Sequence, residues 1–405
     1  MEQDAPTDWH SDYRQHFNPS RLEDIRNFFG RQVEMGVREG VRFQNRIDGQ
    51  WLYNCHSNGG TFNWGHRHPR LVEIFKAELD KIDCGNHWFA SPLRAELARR
   101  LSRTTDGLLP GALLCTTGGE ATDAAIKFSN WLTGRRGIIS AEGGFHGLTG
   151  LATATGAQRW KAPFGCDLEG FVQVPYNDIA AMDEAITDQT SAVILESIPA
   201  TIGMPQVDAN YFEEVGRLCR KRGALLIMDE IQTGLGRTGT HWFYQQFNVE
   251  PDIVLVGKGL GGGIYPVSAA LLSGPLMRKY AEDSFAQGST YAGSELGCTI
   301  ALGVLDLLEE ENITSRVNTL STKFREAFAD LPFNQRGHGL FMGFDWRQEG
   351  KGIEAARRLY DEGIWAVFAA SYTAVTQFLP PLITSDAEAQ EIIDRVRRAS
   401  TGGPQ

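Results

Sequence analysis

Short runs of consecutive apolar residues alternate with longer amphipathic stretches through the middle of this chain. Between about residue 55 and residue 300 the apolar runs are Ala112 to Cys115, Gly137 to Ser140, Gly170 to Val174, Ser191 to Leu195, Ala224 to Met228, Asp252 to Val256 and Val267 to Leu272. Runs of this length, bounded by turn residues, predict strands buried on both faces. The helix-length segments between them predict crossover connections, and together they imply an α/β fold whose large domain has a mostly parallel central sheet covered by helices. The ends of the chain follow another pattern. Val41-Arg42-Phe43 and Gln50-Trp51-Leu52-Tyr53 predict short strands of a meander. A long helical segment from Cys298 to Leu331 precedes the apolar runs Gly339 to Phe344 and Trp365 to Phe368, and a last helix is predicted from Asp386 to Ser400. These predict a smaller α+β domain, built from the C-terminal part and completed by the N-terminal arm. The expected divisions are an arm over 1–54, a large domain over 55–300 and a small domain over 301–405, with no internal repeat or low-complexity linker.

Where the apolar runs stop, ionisable residues begin. Lys258 follows Ile253 to Val256 and precedes Gly259, Gly261, Gly262 and Gly263, and Asp229 ends the run Ala224 to Met228. An open α/β sheet builds its site along the edge where its strands end, so both residues are expected there. A lysine at that edge can form a Schiff base, and a carboxylate can hold a ring nitrogen protonated, a pairing that points to pyridoxal phosphate. Thr116-Thr117-Gly118-Gly119-Glu120-Ala121 opens a helical stretch directly after a strand, where glycine N–H groups at a helix start can cradle a phosphate. Ordinary strand-to-helix turns also use Thr and Gly. Gly143-Gly144-Phe145-His146-Gly147 offers an aromatic ring on a glycine-flanked loop, which either stacks on a planar ligand or packs into the core. Glu196 and Asp229-Glu230-Ile231-Gln232 are acids and an amide at the sheet rim; their alternative use is as helix N-caps.

Composition removes several function classes. A formal charge of −11 over 405 residues argues against a nucleic-acid or anionic-membrane surface. No apolar run approaches the ~20 residues of a membrane span, and Met1 to His10 lacks a basic region followed by an apolar one, so a cytoplasmic, soluble protein is expected. The cysteines at 55, 84, 115, 166, 219 and 298 are scattered without a C-x-x-C pair and are expected to be reduced and structural. His66-Arg67-His68 lacks further ligands at metal-binding spacing, so no metal site is predicted. Gly234-Leu235-Gly236-Arg237-Thr238-Gly239 has the spacing of a dinucleotide fingerprint, the basis of a remote nicotinamide-oxidoreductase reading. Five residues separate it from the preceding strand, and no helix pattern follows.

Taken together, these motifs resemble the class III aminotransferases of pyridoxal-phosphate fold type I over nearly the whole chain, from about Gly40 to Ile393. The segment Leu226 to Gly239, then Pro251-Asp252-Ile253 and Gly257 to Gly263, carries the resemblance most specifically. It implies that Lys258 is the Schiff-base lysine and proton shuttle, Asp229 the partner of the pyridine nitrogen, and Gln232 the contact to the ring hydroxyl. It further implies Phe145 as the stacking ring and Gly118 and Gly119 as the phosphate cradle; by their positions in the sequence, His146 stands beside Phe145 and Glu196 at the sheet rim can support the site. Gly288-Ser289-Thr290-Tyr291 resembles the family segment whose threonine reaches the phosphate of a neighbouring subunit, which implies a homodimer. The implied reaction moves an amino group between an amine or amino acid and a carbonyl acceptor.

Three departures concern the substrate. Leu148, Thr201 and Gln377 stand where many relatives carry an arginine, a glutamate and an arginine, the last two forming the pair that opens to admit a substrate carboxylate. Glutamine cannot replace a bidentate arginine, so an atypical carboxylate site is expected. Either the substrate lacks that carboxylate or another cation such as Arg159 or Lys161 supplies the contact. Trp88, Phe89 and Trp160 are candidate pocket walls or core residues. An aminomutase or an epimerase of the same fold, and a non-catalytic module that keeps it, remain the alternatives; retention of Lys258 speaks against the last.

Overall fold

A computed structural model describes residues 8–401; Met1 to Thr7 of the N-terminal stretch lie outside the described residues. In chain order the strands are β1 (Met35–Glu39), β2 (Arg42–Asn45), β3 (Trp51–Asn54), β4 (Gly111–Cys115), β5 (Gly137–Ala141), β6 (Phe171–Val174), β7 (Thr190–Glu196), β8 (Leu225–Asp229), β9 (Ile253–Val256), β10 (Ser268–Leu272), β11 (Asn334–His338), β12 (Phe341–Asp345), β13 (Ile364–Trp365), β14 (Val367–Phe368) and β15 (Val375–Phe378). Each apolar run of the middle region has become a strand. They join in one 7-stranded sheet in the order β4-β10-β9-β8-β7-β5-β6. β9, β8, β7, β5 and β6 run parallel, and only β10 is antiparallel to its neighbours β9 and β4.

Helices Gly118–Thr133, Ile179–Ala185 and Tyr211–Arg222 supply crossovers. The first starts where the Thr117 hydroxyl accepts from the Glu120 N–H at 3.3 Å, and it ends on Gly134 at φ +71°. A short polar cap and a left-handed glycine define that helix locally. β7, β9 and β10 are buried along their whole length, as strands covered on both faces must be.

Two expectations change. The segment from Cys298 to Leu331 is two helices, Glu295–Glu310 and Ile313–Ala327, separated at Asn312 with φ +48°. Glu309, Glu310 and Glu311 gather at the negative end of the first helix, which disfavours its continuation, and asparagine tolerates the left-handed turn. The run Trp365 to Phe368 divides between two sheets: β13 pairs parallel with β3 of the N-terminal meander, and β14 pairs antiparallel with β15. The 4-stranded sheets β1-β2-β3-β13 and β11-β12-β15-β14 are therefore linked through Ala366. No helix among the described residues is long and apolar enough to cross a membrane. All six cysteines are free thiols, and Cys55, Cys115, Cys219 and Cys298 are buried.

Arg237, inside the glycine-rich segment, joins these parts. Its guanidinium is fully buried and donates to the carbonyls of Leu340 (3.2 Å) and Pro380 (2.5 Å) and to Asn63 Oδ1 (2.5 Å). Burial pushes its pKa down to about 9, still above neutrality. Arg237→Ala strands those three acceptors away from water, and each unsatisfied buried group costs ~1–3 kcal/mol. The expected outcome is a loss of about 3 kcal/mol or more of unfolding free energy, read as a lower urea midpoint.

Candidate active site

Because β9, β8, β7 and β5 run in one direction, their carboxyl ends emerge at one edge, with Glu196 directly opposite Asp229 in the register. Lys258 follows β9 in a single 3-10 turn, Lys258–Gly261, at φ +42°. A left-handed backbone is unfavourable for a lysine and needs support from its surroundings. The indole N–H of buried Trp64 donates to Gly259 O at 3.1 Å, and Leu260 N–H donates to Gly257 O at 2.9 Å. The lysine lines a cavity of about 200 Å³ together with Gly118, Gly119, Phe145, His146, Glu196, Asp229 and Gln232. Every expected cofactor contact except Thr290 is therefore brought together.

The charges in this cavity are paired with care. Asp229 Oδ2 lies 2.7 Å from His146 Nδ1, and Asp229 Oδ1 accepts from Ile231 N–H at 3.1 Å. Burial pushes the His146 imidazole down, but the hydrogen bond and charge of Asp229 outweigh it and leave the pKa raised. Glu196 accepts from Phe145 N–H at 2.8 Å, and burial raises it to about 7. Burial likewise lowers Lys258, opposed by Asp229 and Glu196, and its amine makes no ion pair among the described residues. A desolvated lysine is more readily neutral, hence nucleophilic.

The glycines are required by close approach. A Cβ on Gly119 would stand 2.6 Å from Thr149 Oγ1, and one on Gly147, at φ +121°, would stand 2.6 Å from Gly119 Cα. The start of helix Gly118–Thr133 is thus bare backbone at the cavity, the setting in which helix N–H groups bind an anion.

Other candidates lie elsewhere. Trp88 and Thr290 line a separate outer groove, with Trp88 against Phe285 at 5.2 Å, and neither belongs to the Lys258 cavity of a single chain. Phe89 is also exposed. Arg159 is exposed, donates to Ala370 O at 2.9 Å and sits 4.4 Å from the Trp160 ring, which meets Phe145 edge-on at 4.9 Å. Lys161 is spent on Asp167 at 3.1 Å. Leu148 is exposed; Thr201 Oγ1 donates to Gly143 O at 2.8 Å. Gln377 is buried in β15, outside the cavity lining. His56, not singled out in the sequence, is half-buried between Cys55 and Ser57, which both bond Leu379. His66 bonds Asn54 at 3.0 Å and packs on Phe62, a structural role. Gly234 to Gly239 opens no α-helix; Gly234 makes room for Trp242 instead.

The sequence profile of class III aminotransferases matches residues 33–399. This chain belongs to that family. An uncharacterized aminotransferase of Archaeoglobus fulgidus is 41% identical over 368 residues, covering 89% of this aminotransferase and 87% of the relative. The ornithine aminotransferase of Toxoplasma gondii superposes with a TM-score of 0.87 at 24% identity, covering 97% of this chain and 93% of the other. The N-acetylornithine aminotransferase of Stenotrophomonas maltophilia gives a TM-score of 0.79 at 26% identity, covering 93% and 98%. Class III aminotransferases use pyridoxal phosphate, and the donors here fit it: an unpaired lysine amine, a buried Asp229–His146 pair whose His146 Nε2 has no protein partner, and a glycine cradle.

Glu196 makes the aminotransferase pH-sensitive. Its pKa of about 7, against 4.5 for the ordinary side chain, means that between those values the folded chain holds a proton the unfolded chain has released. Stability is then fully present below about pH 4.5 and falls as pH rises through 7. At ~1.4 kcal/mol per unit, this is on the order of 3 kcal/mol. In the cofactor-free protein, Glu196→Gln should remove most of that fall, measured as the change in urea midpoint between pH 5 and pH 8.

Proposed function

We propose that this class III aminotransferase transfers an amino group between an amine or amino acid and a carbonyl acceptor, and that Lys258 and Asp229 carry the chemistry. The observation behind the reading is the Lys258 amine, desolvated and without an ion-pair partner, in one cavity with the Asp229–His146 pair. When bound, pyridoxal phosphate supplies an aldehyde that takes up the substrate nitrogen and a protonated ring that accepts electron density. Lys258 Nζ would anchor the cofactor and, as the neutral amine, would take the proton from the carbon that bears the substrate nitrogen. Asp229 would keep a proton on the ring nitrogen, and His146, held by Asp229, fixes the orientation of that carboxylate. Glu196 supports the loop through Phe145 N–H, and when the cofactor is bound Phe145 would stack on its ring, Gln232 would meet the ring hydroxyl, and Gly118 and Gly119 would hold the phosphate with backbone N–H groups.

The same reading makes the enzyme a homodimer. Thr290 and Trp88 are exposed in one chain, beside Phe285 at 69% and Tyr291 at 61% exposure, an apolar surface suited to burial against a second copy. Thr290 then serves the partner's cofactor phosphate. The free thiols are consistent with a cytoplasmic enzyme. With Thr201 and Gln377 uncharged, the substrate carboxylate site is atypical.

Lys258→Ala should abolish the visible absorption of the bound cofactor and lower turnover by ~10⁴-fold or more; a band that survives the substitution or borohydride treatment would sink the assignment. Light scattering should give a dimer of the 44.8 kDa chain. Mixing Lys258→Ala with Thr290→Ala chains should restore activity, because one site of each mixed dimer holds both native residues; mixtures no more active than their parents would refute the shared site.

A further inference from the structure

Phe145 has an anchored backbone and a ring that needs a wall. Its N–H donates to Glu196 Oε1 at 2.8 Å, and in the same loop Gly143 O accepts from Thr201 Oγ1 at 2.8 Å. Those bonds fix where the side chain starts. The ring still turns about two side-chain torsions, and packing has to select one orientation. The half-buried ring lines the Lys258 cavity on one side and meets Trp160 on another. The two ring centroids are 4.9 Å apart with the planes at 78°, the edge-to-face arrangement that aromatic quadrupoles favour. Trp160 itself is not among the residues lining the cavity.

Trp160 is held in its turn. It belongs to the short helix Gln158–Lys161, whose two ends both bond Asp167: Gln158 Nε2 donates to Oδ2 at 2.9 Å, and Lys161 Nζ lies 3.1 Å from Oδ1. Gly156 makes room for the indole, since a Cβ there would stand 3.3 Å from Trp160 Cε3 and 3.8 Å from Gly144 O. Arg159 Cζ lies 4.4 Å from the Trp160 ring centroid, where a guanidinium is attracted to the aromatic face, and its Nη1 donates to Ala370 O at 2.9 Å. The next residue, Ser371, donates its N–H to Thr201 O at 2.8 Å. The chain just after β14 therefore supports the Phe145 loop twice, through Thr201 on Gly143 and through Arg159 on Trp160.

We propose that Trp160 is a positioning residue: backed by Arg159 and Ala370, it holds the Phe145 ring in the orientation that stacks on the cofactor. This rests on the reading of Phe145 as the stacking ring. Trp160 acts on the site through Phe145 and takes no part in proton transfer. The same arrangement assigns Arg159 to the support of that ring, with its guanidinium committed to the indole and to Ala370 O, and not to a substrate carboxylate. A ring confined before the cofactor arrives loses less freedom on binding it, so the support is expected to appear as cofactor affinity.

The test is a double-mutant cycle read on the full chain loaded with pyridoxal phosphate. Trp160→Leu should raise the cofactor dissociation constant roughly fivefold and weaken the visible circular dichroism per bound cofactor. Trp160→Phe, which keeps an aromatic edge, should recover most of both. In a Phe145→Leu background, Trp160→Leu should change the dissociation constant less than about twofold. Arg159→Met, a surface change that leaves the fold intact, should loosen the cofactor roughly twofold while the ratio of single-turnover rates with alanine and 2-aminobutane stays the same. An equal effect of Trp160→Leu with and without Phe145, or no effect in either, overturns the proposal, as does an Arg159→Met enzyme that loses rate selectively with alanine. Cofactor affinity untouched by Phe145→Leu alone overturns the stacking reading and this assignment with it, whereas absence of a Lys258-dependent band overturns the transaminase reading itself.

Discussion

Desolvation at the carboxyl edge of the central sheet is the constraint on which the site depends. Strands buried on both faces deliver Glu196, Asp229 and Lys258 to a place where water no longer screens them. Each charge there must find a partner or change its protonation. Asp229 finds His146, Glu196 finds the Phe145 N–H and rises to about 7, and Lys258 finds no ion pair among the described residues. The unfilled position is the lysine, and an unfilled desolvated amine is the group an aldehyde cofactor requires.

The edge is held open by backbone as much as by side chains. A Cβ on Gly147 would run into Gly119, and Cβ atoms on Gly118 and Gly119 would run into Ile231 and Thr149, while Lys258 itself takes a left-handed turn that the Trp64 bond to Gly259 supports. Arg237 ties the same region to the C-terminal sheet through Asn63, Leu340 and Pro380. The segment with the spacing of a nucleotide fingerprint is thus a structural joint. Its glycines accommodate Trp242 and neighbouring chain, and its arginine is consumed by carbonyls.

Where the usual charged clamp of the family is missing, the replacements have different fates. Thr201 holds the backbone of the Phe145 loop, whereas Gln377 is buried in β15. Neither replacement lines the Lys258 cavity.

How much was legible follows from which signals are local. Apolar runs with caps and glycines determined the strands of the central sheet, helix Gly118–Thr133 and its stop at Gly134, and thereby the common edge for Lys258, Asp229, Glu196 and Phe145, since parallel strands in one sheet must end together. Tertiary structure decided the rest. Asn312 breaks a pattern that reads as one helix, and the apolar run Trp365 to Phe368 is shared between two sheets because each half finds a different partner strand. It separated Trp88 and Thr290 from the cavity, and it clamped the loop around His56 to Leu379, more than three hundred residues later in the chain, through paired bonds from Cys55 and Ser57. A lone histidine after a short strand carries no periodicity or spacing to mark it. Its role depends on what is folded against it.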